Sequence, residues 1–296
     1  MDILPQLLVN ALIAGSIYAL ASSGLSLAYG LLRILNFAHG HLMMLGVYIF
    51  YMWNSELGFG LCSSGILTAL VMVAVAILVL KIFVLPFTAY SFLLSFVTTL
   101  ACSTIIESAV SIFFGVNVKS LSSGSAIESI EFWGVYITPI QILIIASSFV
   151  LLGTLAAVVH LTPFGRRIRA LSEHGPAAQS LGISDKQISY IVFGIAVLLA
   201  TWAGIMVGYE TNMQPTMGTS YTIKAFAAMV LGGLGNIWGT VAGAYFLGLV
   251  ENLSIGLDFW GYSLPAGYKD AFAFVVILGV LLFRPQGLFN RRSRKV

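Results

Sequence analysis

Two groups of residues in this 296-residue chain have types and spacings that carry chemistry. The first is a polar island at residues 162–186, TPFGRRIRALSEHGPAAQSLGISDK, where Arg166, Arg167, Arg169 and Lys186 gather positive charge that most of the chain avoids. Phe164, Ile168 and Leu171 repeat at i, i+4 and i+7, one face of a helix, and Arg166, Arg169 and Glu173 occupy another at i, i+3 and i+7. The spacing predicts a short amphipathic helix lying along a membrane surface. A second short helix starts at Pro176, suited to the first helical position, and stops at Gly182, suited to a left-handed cap. Gly165, Ala170, Gly175, Ala177 and Ala178 have little bulk, so another protein's groove can close around this backbone. A basic surface helix held on anionic lipid is the alternative reading.

The second group is Asn36, His39, Gly40 and His41, in a glycine-flanked stretch between two apolar runs. Polar groups so placed must find partners or water. A helix beginning there inside a membrane presents free N–H groups with partial positive charge, suited to a substrate carboxylate. Alternatively, Asn36 caps the helix and His39 makes a structural hydrogen bond. A metal site does not fit, because His39 and His41 at i, i+2 diverge on a helix and no neighbouring carboxylate or cysteine completes a ligand set. Glu107 interrupts an apolar run, and either lines a pathway or belongs to an interhelical hydrogen-bond cluster with Thr104 and Ser108. Lys224 and Glu251 flank a third polar break, Gly232, Gly233 and Gly235 followed by Asn236, and read as markers of the ends of its two arms.

The elements that must position these residues are apolar. The chain is 59% hydrophobic and 8% charged, against about 25% charged in an ordinary soluble domain. Runs free of Asp, Glu, Lys and Arg cover residues 3–32, 34–55, 57–80, 132–165, 187–209, 225–250 and 271–283, and Glu107 alone interrupts 82–118. All but the last are near or beyond the ~20 residues that cross a bilayer. These runs predict an all-α, polytopic membrane protein with one membrane domain over residues 1–296. No cleavable signal is read, since Asp2 and no basic residue precede the first apolar run. Cys62 and Cys102 are isolated and read as small core residues. Tyr18, Tyr29, Tyr48, Trp53, Trp133, Trp202 and Trp260 read as interfacial anchors or packing.

Charge placement sets the topology. The island and the basic tail at 284–296, with Arg284, Arg291, Arg292, Arg294 and Lys295, both face the cytoplasm by the positive-inside rule. An even number of crossings must then separate Lys186 from Arg284, yet three apolar blocks lie between them. The block at 221–252 is long for one crossing and carries the glycine break, so it divides into helix, break, helix; one tilted helix with packing glycines is the alternative. Backwards from the island, 117–131 is an external loop with a Ser-rich run, 83–91 an inner turn, 54–64 an outer loop and 33–41 an inner loop or break. The count is about nine passes, within a range of 8–10 that includes short or broken helices, with the N-terminus outside.

With these residues in view, the chain resembles the branched-chain amino-acid permease family of ATP-binding cassette importers, in its shorter subunit. The resemblance rests on GSIYALASSGLSLAYGLLRILNFAHGHLMMLGVY at 15–48, the island, AFAAMVLGGLGNIWGTVAGAYFLGLVE at 225–251 and FRPQGLF at 283–289. NFAHG and VLGGLG at this separation are specific together and weak alone. The resemblance implies a homologous second permease subunit, two cytoplasmic ATPase subunits, a periplasmic binding protein and an inner-membrane location. It also implies that the island is the ATPase-coupling element, through Gly165, Arg166, Arg169, Glu173, Ala177 and Gly182. The pathway it implies takes in Asn36, His39, Gly40, Glu107, Gly232, Gly233 and Gly235. No cofactor is expected on this chain, which has no GxxxxGK[ST] loop; ATP and Mg belong to the partner ATPase, and no nucleic acid is expected. Residues 81–90 lack the acidic-basic stretch usual in the family, and His41 stands where an acidic or small residue is common. Substrate therefore stays open among branched-chain and other amino acids, urea and short amides.

Two other classes compete. An intramembrane enzyme needs convergent groups, and the chain has no HExxH or Asp-rich diphosphate motif. A self-sufficient channel or secondary transporter fits the hydropathy and the broken helices, but has no need of a small-residue docking element such as the island.

Overall fold

Helix α1 (Leu4–Leu32) is apolar on all sides, and from Gly15 to Ala28 every residue is buried. Such a helix belongs inside a bundle, and α1 is the post against which several of the later helices pack. The computed structural model describes residues 3–88, 91–122, 129–132, 134–256, 268–284 and 287–289. After α1 come α2 (His39–Tyr51), running into a π-helical turn at Met52–Glu56, and α3 (Leu61–Val79). The last continues through a second π-helical turn, Leu80–Val84, into α4 (Leu85–Thr88). Then follow α5 (Phe92–Phe114), a hairpin of β1 (Ile130–Phe132) and β2 (Val135–Ile137), α6 (Pro139–Leu161), α7 (Pro163–Ser180) and α8 (Asp185–Glu210). The chain closes with α9 (Met217–Gly232), α10 (Ile237–Gly256) and α11 (Lys269–Phe283).

Helix starts follow local side-chain chemistry. Thr138 and Gln141 form a reciprocal capping box on α6, with Pro139 in the first turn. Ser91, Thr162 and Ser184 accept from the backbone N–H three residues on, at the starts of α5, α7 and α8. Small residues then allow close packing of the spans: Gly15 lies against Tyr245 and Gly248 of α10, and Gly24 against Ala196 of α8.

Five described helical stretches are long and apolar enough to cross a membrane, and α9 with α10, bent by 118°, makes a sixth if taken as one span. That is fewer than the nine passes read from the sequence, because α2 and α11, at 13 and 15 residues, are too short to meet the length of a span. The bundle has two ends. At one, Arg33, the α6–α7 junction and the α9–α10 turn share a cavity, and Leu288 pairs with Leu231. At the other, Gln6 exchanges two hydrogen bonds with Tyr136 of β2, Lys119 bridges to Met213 and Leu121 pairs with Gly208. Island, glycine break and residues 287–289 thus lie together, as even parity requires.

Some expectations shift. Helical structure continues through the predicted inner turn as far as Thr88, because apolar residues persist there. Cys102 is buried, but Cys62 is exposed at the start of α3 and is not a core residue. Arg291, Arg292, Arg294, Lys295, Trp133, Trp260 and part of the Ser-rich loop lie outside the described residues.

Candidate functional site

The NFAHG segment enters the bundle. Arg33 ends α1 in the left-handed region, at φ 55°, and the chain turns back so that His39 opens α2 beside Ala21. Ala21 precedes the end of α1 by eleven residues, about 16 Å of axis at 1.5 Å per residue. The α2 N-terminus is therefore deep, as an intramembrane helix start requires. Its donors are already engaged: Phe37 N–H on Thr99 Oγ1, Ala38 N–H on Asn36 Oδ1, His39 N–H on Asn36 O and Gly40 N–H on Thr222 Oγ1. His39 is 1% exposed, and its Nε2–H donates to Ala21 O at 2.9 Å. Asn36 organises this turn two residues on rather than capping α2 from the cap position, which Ala38 holds. Gly40 lies where a side chain would strike Gly218 O and Thr222. The geometry of these three residues is that of a packed joint between α2 and α9.

Among the described residues, two hydrogen-bonded side-chain pairs of titratable groups join helices within the bundle. His41 Nε2 lies 3.2 Å from Glu107 Oε2, with His41 buried and Glu107 32% exposed, and Thr219 Oγ1 is 3.5 Å away. Glu107 shares its helix with exposed Thr104 and Ser108, a polar strip that hydrocarbon does not favour. Lys224 of α9 meets Glu251 of α10 at 3.2 Å. Lys224 Nζ also donates to Tyr18 Oη at 3.0 Å, and Tyr18 Oη donates to Glu251 Oε2 at 2.7 Å.

The glycine break is a turn between α9 and α10. Gly233 and Gly235 take φ 104° and 79°, values that disfavour any side chain. Gly232 packs on the backbone of Gly239, where a Cβ would collide. Asn236 ties the turn, accepting from Gly239 N–H and donating to Phe289 O.

The island forms two short helices across a kink at His174, where φ is −149° and ψ 83°, and Gly182 ends the second at φ 82°. Ile168, Leu171 and Ala178 are buried against the bundle, with Arg166, Arg167, Glu173, Ala177 and Gly182 exposed. Two residues placed by sequence on the docking side point inward. Gly165 is buried where a side chain would strike Val159 O, and Arg169 donates to that same carbonyl at the end of α6.

Residues 7–281 match the family described as branched-chain amino acid transport system / permease component. The chain belongs to this family. It is 32% identical to the high-affinity branched-chain amino acid transport system permease protein BraD of Pseudomonas aeruginosa, over 97% of this chain and 95% of that protein. It is 29% identical to LivH of Escherichia coli over the same shares. The ribose import permease protein RbsC of Escherichia coli is 39% identical over 42% of this chain and 40% of its own length. A solved chain of PsaBC from Streptococcus pneumoniae in complex with Fab shares the fold, with TM-score 0.51, 11% identity and coverage of 97% and 93%. The chain is thus a permease subunit of an ATP-binding cassette importer.

Within this permease, sequence reasoning missed how the charges pair. Lys224 and Glu251 read as the ends of two arms, yet they meet across the turn that separates them. The signal was present: opposite charges on both sides of a glycine turn between apolar arms. His41 and Glu107, polar groups within two separate apolar runs, form a second side-chain pair, a hydrogen bond between α2 and α5. The pairing of Trp238 Nε1 with His160 Nε2 at 2.9 Å had no sequence signal.

Proposed function

We propose that this permease forms one half of a translocation pathway for branched-chain or related amino acids. A homologous second permease subunit forms the other half, and a periplasmic binding protein delivers the substrate. Two cytoplasmic ATPase subunits bind ATP and Mg and power the cycle. The chain sits in the bacterial inner membrane with the island and C-terminus cytoplasmic and the N-terminus periplasmic. In this reading α7 docks in the cleft of an ATPase subunit and transmits its closure to the helices. The observation that carries it is the division of α7 into a buried apolar side and an exposed side of Arg166, Arg167, Glu173, Ala177 and Gly182. An element that touches the bundle along one side and offers small and charged groups on the other suits transmission of force between two bodies. Gly165 and Arg169 serve the same purpose from inside, by holding α7 to the end of α6.

The test is reconstitution of the complete transporter in vesicles with leucine, alanine, urea and a short amide as competing substrates. Leucine uptake that requires both ATP and the binding protein is the expected result. Uptake that persists without an ATPase subunit overturns the coupling reading, and preference for urea or the amide overturns the substrate assignment.

A further inference from the structure

Between α7 and the rest of the bundle lies a cavity of about 290 Å³, walled by the ends of α1 and α6, by α7 and by the α9–α10 turn. Arg33, Arg169 and His160 line it together with Ser172, Asn236 and Trp238, and no Asp or Glu is among the described residues of its wall. Among the described residues each guanidinium makes one hydrogen bond, Arg33 to Ser172 O at 3.2 Å and Arg169 to Val159 O. A guanidinium has five N–H donors, so most of those on half-buried Arg169 and on Arg33, which is exposed at the cavity's rim, remain open to water or to an anion. The indole N–H of Trp238 can only donate, so His160 Nε2 accepts and its Nδ1 carries the proton. His160 therefore adds a donor rather than a charge.

The charge balance is unfavourable without a ligand. The C-terminal ends of α1 and α6 at this wall each present about half a negative charge. The C-terminal end of α9 and the N-terminal start of α10 oppose one another at the turn. Because the start of α7 likewise opposes the end of α6, two full positive charges face about half a negative charge, with Arg33 at the exposed rim of the recess. Backbone geometry points the same way. Arg33 is the one non-glycine among the described residues with positive φ, 55°, at a position after a helix that glycine fills without strain. Strain kept at such a position is a mark of side-chain use.

We propose that this cavity binds a phosphoryl-type oxyanion between Arg33 and Arg169, and that the bound anion fastens α7 to the α9–α10 turn. Planar guanidinium groups pair with such oxygens in parallel, two-bond geometry. The same chemistry is offered by the phosphodiester headgroup of an anionic lipid and by free phosphate. The site lies on the inward side of α7, so it is distinct from the exposed face assigned above to the ATPase.

The full chain, purified in nonionic detergent, is titrated with phosphatidylglycerol or phosphatidylcholine and examined by native mass spectrometry. In parallel it is titrated with inorganic phosphate against chloride at equal ionic strength, with binding read by calorimetry. Arg33→Gln and Arg169→Gln are expected to weaken anion retention by about tenfold or more, the loss of a charge-assisted pair. Arg166→Gln and Arg167→Gln remove the same charge from the exposed face and are expected to change it less than about twofold. Arg33→Gly guards against misfolding, because it relieves the backbone strain: it is expected to unfold no earlier than wild type and still lose the anion. Retention of phosphatidylglycerol without a phosphate response assigns the site to a lipid headgroup, and the reverse assigns it to a soluble anion. Equal weakening by all four glutamine variants, or no binding of either probe, overturns the proposal.

Discussion

Lys224 Nζ and Glu251 Oε1 lie 3.2 Å apart, and the glycine turn at 233–236 stands between them in the chain. The pair joins the two arms of one hairpin, and Tyr18 binds both partners from α1. Lys224 is 12% and Glu251 1% exposed by side chain, so both charges have left water. The desolvation this incurs offsets much of their attraction. Its structural consequence is register: the pair, with Tyr18, holds the hairpin against α1.

A buried pair of this kind responds differently to single and double substitutions. Lys224→Met removes the cation beside a buried carboxylate and is expected to destabilise the chain by about 3–5 kcal/mol. The double variant Lys224→Met, Glu251→Leu is expected to recover most of that loss, since apolar replacement of a buried pair is often neutral. Unfolding titrations in mixed micelles, arranged as a double-mutant cycle, measure both. A single variant as stable as wild type would remove the pair from its role in closing the hairpin.

Close backbone contacts make a second prediction. Gly40 lies against Gly218 O and Thr222, and Gly232 against Gly239. Gly40→Val and Gly232→Leu are each expected to cost about 1–3 kcal/mol by overpacking, with membrane insertion intact, because neither adds a polar group. Insertion is checked by carbonate extraction and stability by unfolding. If Gly232→Leu keeps wild-type stability, the α9–α10 contact is looser than its backbone spacing implies.

The large features were legible because they depend on local pattern. Apolar runs marked the helices, Pro176 and Gly182 marked the second half of the island, and Gly232 to Asn236 marked the turn. Partnership was not legible, because it depends on which helices face each other. Arg169 sits on a charged stripe in the sequence, yet finds the free carbonyl at the end of α6 and turns inward. His39 reads equally as ligand or structural donor until Ala21 O appears beside it. A carbonyl on another helix has no residue type, so no sequence pattern reports it.

The two sides of α7 are expected to respond differently. Arg169→Gln breaks the tie to Val159 O and is expected to lower stability by about 1–3 kcal/mol. Ala177→Trp adds bulk to the exposed side and is expected to leave stability within about 0.5 kcal/mol, while reducing ATP-dependent uptake at least severalfold. Unfolding of the purified chain and uptake by the reconstituted transporter separate the two. Wild-type uptake with Ala177→Trp, at normal assembly, would exclude this face as the ATPase contact.

Glu107 offers the sharpest test of where the pathway runs. Its carboxylate is held by His41 on one side and remains 32% exposed on the other, beside exposed Thr104 and Ser108 on α5. A carboxylate facing hydrocarbon would be costly, so the open side calls for water, substrate or the second permease. Glu107→Gln keeps the size of the side chain and a hydrogen bond to His41, and removes the charge. If the open side faces the pathway, uptake of a zwitterionic substrate falls by about tenfold, the scale of one charge-assisted hydrogen bond. Unfolding should then stay within about 1 kcal/mol of wild type, since the contact to His41 survives. His41→Phe supplies the contrast: it abolishes that contact and leaves Glu107 unpaired, so it should lower stability as well as uptake. Should Glu107→Gln destabilise the chain as much as His41→Phe while each folded transporter works at the normal rate, the pair holds α2 to α5 and the substrate passes elsewhere.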